Sequence, residues 1–148
     1  MDINNNKIDE NYWEEHAKKI FAEATGIMKP LERHLTISSR FDNNLLFNLS
    51  VMSFEKMFVA LLAYYEIEAL NHTPLALFKE AHDIDQGLTE AMKQTTRLIA
   101  SHESICSLDD KGYTTPTDNE LRQIINGLLE IYSFIAMRLE VVSTNALK

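Results

Sequence analysis

Glycine and proline are scarce in this 148-residue chain, with four and three copies. That leaves few residues suited to hairpin turns. Alternating β-branched and aromatic runs bounded by turn clusters are missing too, so strands are not expected. The class that remains is all-α. A single cysteine, Cys106, excludes an intrachain disulfide framework and a multi-cysteine metal site. No cluster of five or more Lys and Arg exists, and net charge is −8 with a pI near 5.1. Duplex binding by phosphate neutralisation needs a basic surface. Generic duplex DNA binding is therefore not expected, while a local site for RNA or a nucleotide stays open. The longest unbroken apolar run, Met57 to Tyr65, falls short of the roughly 20 residues of a membrane span. The start is polar and acidic, with no basic region leading into an apolar stretch. No membrane association and a cytoplasmic location are the expectations.

Catalytic signatures are equally thin. There is no Gly-x-Ser-x-Gly turn, no Gly-rich phosphate loop and no dinucleotide fingerprint. Neither Glu-x-x-His nor His-x-x-x-His occurs, which counts strongly against the metal-dependent bundle enzymes. His102 and Cys106 are spaced i, i+4, but two ligands do not make a zinc site. No cofactor and no metal are expected. His82, Asp83 and Asp85 with Glu80 read as a solvated helix end.

What the chain does have is helix-forming pattern. Residues 54–70 are apolar on almost every side after Lys56, the mark of a helix at the centre of a bundle. Residues 1–8 read as a disordered leader, and 9–148 as one helical domain. Asp9 can cap a first helix that places Phe21, Ala24 and Met28 inward. A kink or break is expected near Gly26–Pro30, because proline removes a donor and disfavours helix at Lys29. Asp42 suits the N-cap of a second helix over roughly 42–71. Thr73-Pro74 suits the start of a third, split by Gly87 from a segment reaching about Cys106. Residues 107–116 form a loop, with Tyr113 as a lid. Thr117 and Glu120 make a capping box before a last helix whose apolar stripe runs from Leu121 to Leu139.

The run Phe54-Glu55-Lys56-Met57-Phe58-Val59-Ala60-Leu61-Leu62, then Asn71-His72-Thr73-Pro74-Leu75, resembles the HEPN superfamily of helical bundles over about residues 40–140. The last helix, opened by Thr117-Asp118-Asn119-Glu120, is similar as well. The resemblance implies a bundle that commonly dimerises. It also implies either a metal-independent ribonuclease or a non-catalytic module for RNA, a nucleotide or a partner protein. The superfamily's catalytic signature is an Arg followed at four to six residues by a His. Arg97 and His102 match that spacing, with Leu98 where a polar residue is usual.

Chemically, Arg97 could stabilise a strained phosphate, and His102 could take the proton of a 2′-hydroxyl. Five residues along a helix, however, turn the two side chains about 140° apart. The expected fold is an antiparallel up-and-down four-helix bundle with a kinked first helix and a split third. The long apolar stripes suggest a homodimer through helix faces. The expected function is a HEPN-like binding module, and the alternative is a toxin- or defence-type endoribonuclease using Arg97 and His102.

Overall fold

The computed structural model describes residues 2–37, 40–103 and 114–141, and over 2–10 the backbone alone. Those residues form five helices and no strand. Helix α2 (Asn43–Tyr64) is the centre. Asp42 caps it by accepting the Leu45 N–H at 2.8 Å. Its buried set runs from Leu46 to Ala63 and includes Phe47, Phe54, Met57, Phe58, Leu61 and Leu62. Two buried serines return their hydroxyls to the helix, Ser50 to Leu46 O and Ser53 to Ser50 O. No polar group is orphaned there. By length and mean hydropathy of 1.6 alone, α2 could cross a membrane, but most of its surface is covered by its neighbours.

Helix α2 stops at Tyr64, well before residue 71. Glu66 adopts a left-handed conformation, φ 63°. The Glu66 N–H then bonds Ala63 O and the Ile67 N–H bonds Leu62 O, both at 2.9 Å. This is a Schellman closure with Ile67 folded back over Leu62, made here without the usual glycine.

Helix α1 (Asp2–Thr36) takes in residues 2–8, which the sequence suggested as a leader, and passes through Pro30 without a break. Met28 and Leu31, both fully buried, hold the backbone on either side of the proline. Packing of that face overrides the local preference. The helix runs opposite to α2, Glu23 meeting Lys56 at 2.8 Å. It also runs opposite to α5 (Asp118–Leu139), where Arg122 donates to Leu35 O and the Thr25 and Tyr132 hydroxyls meet at 2.9 Å. The capping box at Thr117 and Glu120 is present as expected.

Helices α3 (Pro74–Ile84) and α4 (Glu90–Glu103) are not two pieces of one rod. Phe78 faces Phe58 and Asp85 faces Tyr65, so α3 follows the direction of α2. Along α4 and α5 the pairing is opposed: Thr95 lies at Gly127 and His102 near Glu120. The interruption expected at Gly87 is present, and the chain reverses there, at residues 85–89, so the two pieces run in opposite directions. The reversal is fixed by Asp85, whose carboxylate binds Arg138 and the Gly87 N–H. The expected loop over 107–113, Tyr113 and Cys106 lie outside the described residues.

Candidate functional site

Thr89 opens α4, its hydroxyl accepting the Met92 N–H at 3.2 Å. The helix buries Met92, Thr96, Ile99 and His102 and turns Arg97 to solvent. The two residues expected to share a site thus project in different directions from one helix, as about 140° of rotation requires.

His102 is only 7% exposed. Its Nδ1 lies 3.1 Å from Thr114 O and 3.0 Å from Thr114 Oγ1, so the Nδ1–H donates there. The ring meets Phe47 edge-on at 5.6 Å. Its Nε2 is sealed from solvent and lies 3.6 Å from Glu120 Oε2, outside hydrogen-bond distance. Glu120 is committed elsewhere, its Oε1 accepting the Thr117 N–H at 3.0 Å. That backbone bond holds the Glu120 carboxyl below its ordinary range, against the opposing effect of burial. A base for a 2′-hydroxyl must come within about 3 Å of its proton. Neither nitrogen of His102 has an open approach. The ring fastens the end of α4 to the start of α5.

A second buried polar centre escaped the sequence reading. Asp85, 5% exposed, receives Arg138 Nε at 2.7 Å and its terminal nitrogen at 3.1 Å. It also receives the Tyr65 hydroxyl at 2.7 Å and the Gly87 N–H at 3.0 Å. Arg138 further stacks over Phe134 at 4.4 Å. The bidentate guanidinium holds the Asp85 carboxyl at about 2, despite burial. The same pair pushes Arg138 up, while burial first, then the bond to Asp85, raises the Tyr65 phenol. All four acceptor directions of the carboxylate are used, so this clamp has no free position for a ligand. The solvated helix end expected for Asp85 is corrected: a partner 53 residues away in sequence withdraws it from water. Gly87 is needed beneath the clamp, since a Cβ there would lie 2.6 Å from the Arg138 guanidinium.

Concave surface remains in two places: a groove of about 540 Å³ beside the clamp, lined by Trp13, Lys18, Tyr64, Glu66, Arg138 and Glu140, and grooves along α1 and α2. Of the latter, one of about 350 Å³ is lined by Ile20, Met52, Glu55, Lys56, Val59 and His72. It shares Val59 and His72 with a second of about 420 Å³ that reaches Tyr12, Trp13 and His16. Polar contacts cross this surface, an ion pair from Lys56 to Glu23 and a hydrogen bond between His72 Nδ1 and Glu55 at 2.6 Å. Among the described residues no group of three or more His, Cys, Asp or Glu converges as metal ligands. Comparison with family models, curated proteins and solved structures finds no match to this chain.

Proposed function

We propose that this chain is a HEPN-like, non-catalytic interaction module. In this reading α1, α2, α4 and α5 are the four helices of an up-and-down bundle, and α3 is an excursion between the second and third. The module acts as a homodimer that binds RNA, a nucleotide or a protein. The observation supporting binding over catalysis is the divergence of Arg97 and His102: one is in solvent, the other is buried with Nδ1 on Thr114. The acidic charge favours a protein partner, because a chain at −8 repels polyanions unless a basic site is built locally.

The test is incubation of the purified protein with a mixed RNA pool in EDTA. The expected result is no cleavage. Arg97 is exposed, so Arg97→Ala leaves the fold intact and is the cleaner probe, whereas His102→Ala also removes a buried contact. Cleavage that Arg97→Ala abolishes would overturn this reading in favour of the metal-independent endoribonuclease.

A further inference from the structure

Helix α2 is apolar on nearly every side, yet one stripe of it is left open. Leu45 is 42% exposed and Met52 46%. Leu49, Lys56 and Val59 on the same stripe are half-buried. The spacing 45, 49, 52, 56, 59 alternates four and three residues, the pattern with which one helix packs against another. Ile20 of α1 borders the stripe across the groove that it shares with Met52 and Val59.

We infer that this face is where two copies of the chain meet, α2 against α2, antiparallel about a two-fold axis at Met52. The inference deepens the homodimeric-module reading and rests on it. Three observations select a second copy. The first is charge. The chain carries −8 overall, but the stripe itself carries one charge, Lys56, and that is paired with Glu23. Two copies can approach along the stripe without opposing like charges. The second is the order of residues. About Met52, Leu45 falls opposite the partner's Val59 and Lys56 opposite the partner's Asn48. In an antiparallel pair no charge of the stripe faces its own copy, whereas a parallel pair would oppose Lys56 to itself. Leu45 is then placed to enter the partner's groove beside Ile20 and Val59. The third is area. A 22-residue helix is about 33 Å long, and with the α1 flank the strip is about 20 Å wide. That gives roughly 650 Å² per copy, close to the roughly 800 Å² of a standard interface.

Sedimentation equilibrium over a dilution series tests this. The wild type is expected to be dimeric, and to associate more tightly as salt screens the −8 carried by each copy. Met52→Glu sets two carboxylates against each other on the axis and should weaken association by about 100-fold or more. Asn126→Glu, exposed on α5, should leave it unchanged. In a Cys106→Ser background, Met52→Cys should crosslink to a covalent dimer under mild oxidation, and circular dichroism should report an intact fold for every variant. A monomeric wild type, or a dimer that Met52→Glu does not weaken and Met52→Cys does not crosslink, overturns the interface. Either result leaves the RNA-cleavage outcome untouched. Arg97-dependent cleavage would sink the non-catalytic reading without affecting the crosslink.

Discussion

The two ends of this molecule bury polar groups in opposite ways. At one end Asp85 has four hydrogen bonds and no unmet acceptor. At the other His102 satisfies one ring nitrogen through Thr114 and leaves the other 3.6 Å from Glu120. Backbone strain is distributed the other way. The two non-glycine residues with positive φ among those described are Glu66 and Glu140. Each lies within two residues of a clamp partner, Tyr65 or Arg138. One end combines complete bonding with a strained backbone, and the other combines an incomplete polar contact with no positive φ among its described non-glycine residues. A buried polar group can therefore be a structural fastener whether or not it is fully satisfied. What distinguishes the two ends is the cost of removing a partner.

That cost is expected to be largest at the clamp. Arg138→Ala leaves a buried carboxylate without its counter-charge, which costs about 3 kcal/mol in urea unfolding. The upper end of that range is not reached, because the Arg138 side chain is itself 35% exposed. The pH dependence has a definite sign. The Asp85 carboxyl titrates at about 2 in the folded chain, against an ordinary 3.8. Its contribution is full above the unfolded value and is lost as pH falls from about 4 toward 2. Wild-type stability should drop across that window. The Arg138→Ala protein should show a shallower drop, and equal slopes would show that the clamp carries no linkage.

The next effect lies between the two ends, where α4 crosses α5. A Cβ on Gly127 would lie 2.0 Å from Thr95 Oγ1 and 2.8 Å from its Cβ. Gly127→Ala must push α4 outward, at about 2 kcal/mol. Adding Thr95→Gly should recover most of the loss. If Gly127→Ala is neutral alone, α4 is more loosely seated than this crossing implies, and His102 is not held by it.

The sequence shows the helices, and their starts better than their ends. Asp42 and the Thr117–Glu120 box are local chemistry, readable from neighbouring residues, and both caps form as expected. The end of α2 was not readable, because Glu66 takes a conformation usually reserved for glycine and only the fold-back of Ile67 explains it. A kink or break is expected near Gly26–Pro30 from local preference; α1 is unbroken there, with Met28 and Leu31 buried on either side of the proline. Asp85 reads as solvated because its partner Arg138 is remote in sequence, and nothing local to Gly127 signals its close approach to Thr95, which is on another helix. The divergence of Arg97 and His102 was the legible part of the candidate site, since it follows from helical rotation alone.

At the His102 end a smaller effect is expected. His102→Leu gives up the Nδ1 bond to Thr114 but also removes a buried nitrogen without a hydrogen-bond partner, and fills the space beside Phe47 with apolar volume. The change should stay within about 1 kcal/mol. Asp85→Leu at the clamp should instead exceed about 3 kcal/mol, because Arg138, Tyr65 and the Gly87 N–H would all lose their acceptor. Comparable losses from the two leucines, measured by urea unfolding, would erase the distinction between the ends.

The smallest effect is a gain at the strained end. An L-residue in the left-handed region costs about 1 kcal/mol relative to glycine, part of which returns as lost entropy in the unfolded chain. Glu66→Gly and Glu140→Gly should each stabilise by roughly 0.5 kcal/mol, provided that the closing bonds Ile67 N–H to Leu62 O and Val141 N–H to Ala136 O persist. The two sites line one groove beside the clamp, so the double variant is expected to depart from simple addition. If instead either glycine destabilises, the glutamate side chain is contributing something beyond its backbone conformation. Amide exchange at Ile67 and Val141 would separate the cases: protection retained with higher stability locates the strain in the glutamate backbone, and protection lost means the side chain was holding the turn.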